Sequence, residues 1–456
     1  MNTLIILAGL GLVLLLTEIF NIRKGQLALI LIGLGAALAA DIADWNAPVS
    51  LFNDMMRVDH FSVAFTGVIL AVSLLWFTFS SSYFDEPSSR VDHFALLIFA
   101  ITGAVVMTSF SNMIMLFLGI EILSISLYIL AGSNKSNLAS NEAALKYFLM
   151  GSFATGFLLF GIALLYGATG SFNIAVIAEK IAANGLDQPV MITAGLFLMM
   201  IAMAFKVSAA PFHWWAPDVY QGSPTVITAF MSTVVKTAAF AAFLRLFSGA
   251  FASIAFNWSE TLFIISALTI AIGNITAVFQ TSFKRMLAYS SIAHAGYMTM
   301  ALLSQQGQSG GSLLFYTAAY SVSSLAAFAI LYLVSNKTGN EQLEGFNGLA
   351  SRNPFLAAIT VVAMLSLAGI PPTAGFFAKY YIFTAAMEAG HTWLVIIGVL
   401  GSLVGVYYYF RPLIALFRGT SDATIELPTA TRIFLIGTAV LAIALGLAPG
   451  YLSGLL

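Results

Sequence analysis

Apolar runs of about 20 residues, separated by short polar connections, repeat from one end of the chain to the other. A run of this length is what an α-helix needs to cross the hydrocarbon core of a bilayer. Pro, Gly, Asn and charged clusters mark the ends of the runs. The predicted membrane segments, about fourteen in number, cover residues 3–20, 26–43, 60–81, 93–109, 112–131, 143–167, 190–209, 225–249, 260–280, 284–303, 312–335, 355–386, 392–417 and 431–453. The pattern therefore predicts an all-α polytopic membrane protein.

Two of the apolar runs are interrupted by proline and glycine close to a lysine. The first break follows Lys206 and contains Pro211, and the second contains Gly369 and two prolines and precedes Lys379. Non-helical backbone at membrane depth is tolerated only where protein or water satisfies its polar groups. Each break is therefore expected to mark an intramembrane site.

The two breaks also suggest an internal duplication. His294 lies 173 residues after Glu121, the same separation as between Lys206 and Lys379, although Lys206 precedes its break and Lys379 follows its own. A repeat with an odd number of helices has an inverted second copy, and paired broken helices in inverted halves indicate a transport site at their interface. The predicted units are an N-terminal three-helix segment (1–92), a first five-helix repeat (93–250), an inverted five-helix repeat (251–420) and a C-terminal membrane helix (421–456).

Composition agrees with a membrane protein and excludes several functions. Hydrophobic residues make up 60% of the 456 positions and charged residues only 8%, whereas a soluble protein carries about 25% charged residues. The net charge of −1 gives no indication of nucleic-acid binding. Because the chain has no cysteine, it cannot hold a cysteine-ligated iron–sulfur cluster. The absence of a phosphate-binding loop or dinucleotide motif disfavours ATP-driven transport and NADH binding by this chain.

The positions of Lys and Arg indicate the orientation in the membrane. Eleven of the eighteen fall in alternate connections, which the positive-inside rule assigns to the cytoplasmic side. They are Arg23, Lys24, Arg90, Lys135, Lys284, Arg285, Lys337, Arg352, Arg411, Arg418 and Arg432. Both chain ends are therefore predicted on the opposite side.

Six ionisable residues within the predicted membrane segments are candidates for chemistry, each in a different segment. They are Glu121, Lys146, Lys206, Lys236, His294 and Lys379. A charged lysine at the centre of a bilayer helix costs about 2.5 to 3.5 kcal/mol on insertion scales, so such residues usually face the protein interior or a water-filled cavity. Desolvation favours the neutral form of a lysine and a nearby carboxylate favours the charged form, while histidine titrates near neutral pH. The six residues are therefore predicted to form a proton relay.

Each of these residues also has a simpler structural interpretation. Glu121 and Lys206 could form a static buried ion pair that fixes helix packing. Lys146 lies one turn from a polar connection and could extend its amine to the membrane surface. His294 could be a core histidine whose ring nitrogens are satisfied by neighbours. The sequence leaves these alternatives open.

Four strings around these residues resemble a known family. They are Phe205-Lys206 to His213, Ala216 to Thr225, Lys284 to His294, and Gly369 to Lys379. The strings look like those of the antiporter-like membrane subunits of respiratory complex I, and the resemblance covers essentially the whole chain. One departure is Val226, where the family usually has proline. The resemblance implies a proton-translocating subunit of a large complex that oxidises NADH and reduces quinone.

The resemblance also implies residue roles and partners. Glu121 and Lys206 would form a modulating pair, Lys236 would be the central relay lysine, His294 would connect the two halves, and Lys379 would exchange protons with the far side. This chain would bind no cofactor, since NADH, FMN, iron–sulfur clusters and quinone would belong to partner subunits. The partners would be other membrane subunits of the complex, and lipid. The location would be a bacterial cytoplasmic (inner) membrane, with both termini periplasmic.

Other functions remain open from the sequence. Multisubunit Na⁺/H⁺ antiporters and membrane-bound hydrogenases use similar modules. A non-pumping scaffold subunit that only holds partners together is a further alternative. A stand-alone solute carrier is disfavoured, because it would need a central cavity with polar groups specific to its substrate.

Overall fold

The computed structural model describes residues 2–20, 22, 25–80, 83–84, 93–184, 189–304, 309–419 and 425–456. Arg23, Lys24 and Arg90, three of the basic residues that predict the orientation, lie outside these ranges. Within the ranges, helices account for most of the chain. They are α1 (Asn2–Ile19), α2 (Gln26–Ala43), α3 (His60–Ser80), α4 (His93–Ser109), α5 (Met113–Ala131), α6 (Leu138–Thr169), α7 (Ile174–Ala183), α8 (Val190–Lys206), α9 (Trp215–Gly222), α10 (Thr225–Phe230), α11 (Lys236–Ala250), α12 (Ala255–Val278), α13 (Phe283–Ala301), α14 (Ser309–Thr338), α15 (Leu349–Arg352), α16 (Pro354–Ala368), α17 (Ala374–Glu388), α18 (Thr392–Phe417), α19 (Thr429–Leu447) and α20 (Gly450–Ser453).

Ten helical stretches of the described residues are long and apolar enough to cross a membrane. Three shorter apolar helices, α4, α8 and α16, accompany them. The prediction of an all-α polytopic membrane protein is therefore confirmed. The count of fourteen spans, the two inverted repeats and the domain limits stay predictions.

Helix α6 extends beyond its predicted span of 143–167. It begins at Leu138, because the Asn137 side chain accepts a hydrogen bond from the Ala139 N–H at 2.9 Å and so caps the first turn. The first turns are polar, which allows the helix to continue outside the apolar layer. The sequence pattern marks only the apolar part of this helix.

The first predicted break separates α8 from α9. Helix α8 ends at Lys206, and Ser208 has a φ of 63°, in the left-handed region that a continuing α-helix does not use. The N–H of Ala209 donates to the Ala204 carbonyl at 2.8 Å, which satisfies one of the last carbonyls of the helix. Lys206 is therefore held in the last turn of a half-helix.

The second predicted break separates α16 from α17. Gly369 caps α16 with a φ of 82°, and its N–H donates to the Leu365 and Ser366 carbonyls at 3.0 Å. A Cβ on Gly369 would lie 2.9 Å from Cδ of Lys379. Glycine is favoured here by the backbone conformation, and the Lys379 side chain packs directly against it.

A π-helical turn, Met231–Val235, joins α10 to α11 and ends directly before Lys236. Such turns are frequent at functional sites, since the wider turn changes the direction of side chains and frees carbonyl groups. Here the Ser232 and Thr233 hydroxyls donate to the Ala229 carbonyl at 3.1 and 2.7 Å. The local sequence thus supplies the hydroxyl groups that the distorted turn needs.

Helices α10, α11 and α14 form the centre of the bundle. The apolar window of the stretch Thr225–Ala250 is wholly buried, and that of α14 is 89% buried, whereas those of α6 and α18 are only 33% buried. The indole N–H of Trp76 donates to the Val226 carbonyl at 2.8 Å and ties α3 to the start of α10. Helix α10 therefore begins normally despite valine at position 226.

A short hairpin between α2 and α3 was not predicted from the sequence. Strands β1 (Val49–Leu51) and β2 (Met56–Val58) pair antiparallel. Just after β2, Asp59 pairs with the largely buried Arg245 at 2.5 Å. The hairpin end is thereby linked to the end of α11, the helix that begins at Lys236.

The close approach of α16 and α17 gives a test of the second break. A Cβ on Gly375 would lie 1.7 Å from the Ser366 carbonyl oxygen, so Gly375→Ala is expected to separate the two half-helices at a cost of about 1 to 3 kcal/mol. The melting temperature of the detergent-solubilised protein should fall. Gly437→Ala is the control, because a Cβ there meets nothing within 4 Å. Equal melting temperatures for the two variants would contradict this packing.

Candidate functional site

Three of the predicted relay residues lie deep in the protein. Lys236, His294 and Lys379 are 3%, 4% and 6% exposed. They belong to α11, α13 and α17, and Lys206 and Glu121, both partly buried, belong to α8 and α5. The structure thus places five of the six predicted residues inside the bundle.

Lys236 is held by the neighbouring helix α13. Its amine donates to the Ser291 hydroxyl and to the Ser291 carbonyl, each at 2.6 Å. The amine also lies 5.9 Å from the centre of the Tyr320 ring, on α14. Both partners are neutral, so they stabilise the amine without fixing it in the charged state.

His294 lies one turn after Ser291 on the same helix. Its Nδ1 hydrogen-bonds the Tyr316 hydroxyl at 2.7 Å and its Nε2 hydrogen-bonds the Tyr409 hydroxyl at 3.0 Å. Both partners are phenols, which can donate to or accept from an imidazole nitrogen. His294 can therefore change protonation without losing either partner.

Lys379 lies against the broken end of α16. Its amine donates to the Ala368 carbonyl at 2.7 Å and to the Ser402 hydroxyl at 2.8 Å, and it lies 5.4 Å from the centre of the Tyr297 ring. Ala368 is the last residue of α16, where the helix dipole and unpaired carbonyls favour a cation.

This contact explains why the two lysines do not align with the breaks in the sequence. Lys206 belongs to the last turn of the half-helix before its break. Lys379 follows its break, but its side chain reaches back to the end of the half-helix before it. Lys206 is thus part of the carboxyl end of a half-helix, and the Lys379 amine contacts the carboxyl end of another.

Glu121 and Lys206 do not form the direct ion pair that one interpretation of the sequence suggests. The Lys206 amine donates to the Ser124 hydroxyl at 2.7 Å, and Glu121 accepts from the Thr155 hydroxyl at 2.7 Å. Lys206, Ser124 and Thr155 line a cavity of about 20 Å³, which is large enough for one water molecule. The carboxylate and the amine thus share one polar cluster with hydroxyl groups between them.

Lys146 differs from the other five residues. Its side chain is 40% exposed, and its amine pairs with Glu142 at 2.7 Å and with Asp218 at 2.8 Å. Asp218 also pairs with Arg285 at 3.0 Å. These contacts agree with the simpler interpretation of Lys146, an amine held near the end of the bundle by surface carboxylates.

Two buried polar residues were missed by the sequence analysis. Lys284, assigned to a polar connection, has a side chain that is only 4% exposed and donates to the Ser223 carbonyl at 2.7 Å. Asn274, in the middle of α12, is 1% exposed and contacts two tyrosines. Asn274 could have been noticed as a strong hydrogen-bonding group inside an apolar run, but nothing in the sequence identifies its partners.

Metal binding has no support in the described part of the chain. No group of three or more His, Asp or Glu side chains there is arranged to hold an ion. Apart from Lys146, the predicted relay residues are bound by hydroxyl and carbonyl groups. The arrangement is suited to moving protons between neutral hydrogen-bonding partners.

The fold and the buried titratable groups define a polytopic α-helical membrane protein with an intramembrane ionisable site, the class that includes proton pumps and ion antiporters. Residues 110–405 match the family described as "NADH:quinone oxidoreductase/Mrp antiporter, TM". The chain belongs to this family, and its full length aligns with the family's subunit N members.

Individual relatives agree with this assignment. NADH-quinone oxidoreductase subunit N of Cytophaga hutchinsonii is 45% identical, covering 99% of this chain and 98% of the relative. A chain of respiratory complex I from Thermus thermophilus is 35% identical with a TM-score of 0.85, covering 99% of this chain and 98% of that chain. A chain of the Mrp complex from Dietzia sp. DQ12-45-1b has a TM-score of 0.89 at 20% identity, covering 99% and 95%, and shows the shared fold alone.

The ion pairs of Asp218 give a prediction that depends on pH and salt. Burial alone would raise the pKa of Asp218, but hydrogen bonds from Lys146 and Arg285 hold this pKa below its ordinary value. The stabilisation is therefore complete above about pH 4 and is lost as the pH falls through the lowered pKa. Asp218→Asn should lower the melting temperature by about 1 to 3 °C at neutral pH and low salt.

The same difference should shrink in high salt, because the pairs are half-exposed and are screened. Asp54→Asn, which changes an exposed aspartate bound by the Ser50 hydroxyl, is the matched control. An effect of Asp218→Asn that is equal at neutral and strongly acidic pH would contradict the ion-pair interpretation.

Proposed function

We propose that this chain is a proton-translocating membrane-arm subunit of a bacterial NADH:quinone oxidoreductase. It would move H⁺ through the buried Glu, Lys and His residues while other subunits transfer electrons from NADH to quinone. One observation carries the proposal: Lys236, His294 and Lys379 are buried on three helices, and their hydrogen-bond partners are neutral.

Neutral partners matter because they leave the proton free to move. A buried lysine paired directly with a carboxylate is held in the charged state, and breaking such a pair costs about 3 to 5 kcal/mol. Among the described residues, no carboxylate lies within 4.0 Å of the amines of Lys206, Lys236 or Lys379. The balance between charged and neutral amine is therefore open to control by charges that are further away.

Glu121 provides such a distant charge in this proposal. Its carboxylate acts on Lys206 through space, with the Ser124 and Thr155 hydroxyls in the same cluster. A change of charge near Glu121 would shift the protonation of Lys206 and then of Lys236. His294 would connect Lys236 to Lys379, and Lys379 would exchange protons with the far side.

The remaining assignments follow from the family. The partners would be other antiporter-like and small membrane subunits, with lipid around them. NADH, FMN, iron–sulfur clusters and quinone would be bound by partner subunits. The predicted location is the bacterial cytoplasmic membrane, with both termini periplasmic. Lys146 would serve at the edge of the proton relay.

The alternatives receive weaker support. The Mrp complex chain shares the fold at 20% identity, whereas the subunit N relative from Cytophaga hutchinsonii is 45% identical over nearly the whole chain. The similarity therefore favours the redox complex over a multisubunit Na⁺/H⁺ antiporter or a membrane-bound hydrogenase. A scaffold subunit would not need titratable side chains in its interior, where they are costly.

Substitution of the lysines tests the proposal. Lys206→Ala and Lys236→Ala should reduce proton pumping per NADH oxidised by about tenfold or more in inverted membranes, because each removes a proton-carrying group. Lys236→Arg should fail as well, since arginine keeps the charge but is not deprotonated in proteins. Lys337→Ala, on an exposed part of α14, is the control.

Assembly has to be verified for each variant by isolating the intact complex and measuring NADH oxidation with an artificial acceptor. Normal pumping by Lys206→Ala and both Lys236 variants in assembled complexes would leave this chain a scaffold. Normal pumping by Lys236→Arg alone would mean that a fixed positive charge is sufficient at this position.

A further inference from the structure

Asn274 joins three helices in the half of the protein that contains Lys379. The residue lies in the middle of α12 and is 1% exposed. Its amide nitrogen donates to the Ile270 carbonyl at 2.8 Å and to the Tyr297 hydroxyl, on α13, at 3.0 Å. Its amide oxygen accepts from the Tyr408 hydroxyl, on α18, at 3.1 Å.

The orientation of this amide is determined by chemistry. The Ile270 carbonyl can only accept a hydrogen bond, so the NH₂ group of Asn274 must face it. The same NH₂ group then donates a hydrogen bond to the hydroxyl oxygen of Tyr297, and the amide oxygen must accept a hydrogen bond from the Tyr408 hydroxyl. The directions of both phenol hydrogen bonds are therefore set by Asn274.

Helix α18 leaves this amide little freedom. A Cβ on Gly401 would lie 3.0 Å from the amide nitrogen and 3.1 Å from the Tyr297 hydroxyl. The absence of a side chain at Gly401 lets α18 pack directly on the amide. The arrangement is thus fixed by packing as well as by hydrogen bonds.

We propose that Asn274 is a positioning residue that directs the hydrogen bonds of Tyr297 and Tyr408 in the proton pathway. This inference rests on the proposed function. The hydroxyl proton of Tyr408 is bound by Asn274, and an amide neither takes up nor releases a proton near neutral pH, so no proton passes from Tyr408 to Asn274. The hydroxyl proton of Tyr297 stays available to another acceptor, and Lys379 lies over the ring of the same tyrosine.

Substitutions at position 274 separate the direction of the hydrogen bonds from the shape of the side chain. Asn274→Leu removes the donor and the acceptor. Asn274→Asp keeps the shape, but an ionised carboxylate only accepts hydrogen bonds, so the Tyr297 hydroxyl would have to donate to it. A protonated aspartic acid has a single donor, which serves Tyr297 when the bond to the Ile270 carbonyl is given up, and it has an acceptor for Tyr408. The Ile270 carbonyl lies inside α12 and keeps its helical hydrogen bond.

The environment of an aspartate at this position contains few charged groups. Position 274 is faced by Tyr297 of α13 and by Tyr408 of α18. Tyr409, also on α18, packs against Tyr408. Lys379 lies beyond the Tyr297 ring, and Arg411 donates to the Val278 and Gln280 carbonyls at the end of α12. The groups that contact position 274 directly are neutral, so protonation of an aspartate there breaks no ion pair.

The measurement is proton pumping per NADH oxidised by the assembled complex in inverted membranes, as a ratio to wild type at each pH from about 6 to about 8. Asn274→Leu should be roughly fivefold lower or more at every pH, because it removes the hydrogen bonds to both tyrosines and the loss of one such bond accounts for about a fivefold change. Asn274→Asp should approach wild type as the pH falls. Gly405→Ala is the control, since its Cβ would lie 3.5 Å from the amide oxygen, an ordinary contact.

Two results would overturn the inference: wild-type pumping by Asn274→Leu, or an Asn274→Asp variant that pumps no better than Asn274→Leu at the lowest pH. A purely structural role would lower the amount of assembled complex without changing protons per NADH. If the Lys236 variants pump normally, the proposed function fails. If those variants fail to pump but Asn274→Leu pumps normally, only the inference on Asn274 fails.

Discussion

The main physical constraint on this structure is that it must hold lysine amines inside an apolar helix bundle. A lysine there loses its hydration, and a direct carboxylate partner would compensate the charge but would also hold the proton. This chain uses hydroxyl and carbonyl groups instead, as at Lys236 with Ser291 and at Lys379 with Ser402. Such partners accept from an ammonium and, in the case of hydroxyls, can also donate to a neutral amine. The energetic difference between the two protonation states is thereby reduced.

The interruptions of the helices supply part of this polar environment. The break after α16 leaves the Ala368 carbonyl free to accept from Lys379, whereas Lys236, just after the π turn, is bound by Ser291 of α13. Because a continuous α-helix uses its carbonyls internally, the end of α16 provides a carbonyl that a buried cation can use. The break between α16 and α17 is therefore both a feature of the fold and part of the Lys379 site.

The sequence predicted the membrane class, the two breaks and the buried positions of Lys236, His294 and Lys379, because a charge or a proline inside an apolar run has few physical explanations. It could not predict the partners, since Ser and Tyr are common in membrane helices and only tertiary packing selects Ser291 or Tyr409. It also could not show that Ser124 binds Lys206 in place of Glu121. The hairpin was missed because three-residue strands carry almost no periodic signal.

The central claim is that Lys236 changes its protonation state during turnover. The most direct test is isotope-edited infrared difference spectroscopy of the intact complex with ¹⁵N-labelled lysine, comparing resting and NADH-driven states. The account predicts an ¹⁵N-sensitive lysine ammonium signal that changes on turnover and is absent in Lys236→Met. A spectrum with no such signal, or one that Lys236→Met leaves unaltered, would contradict it.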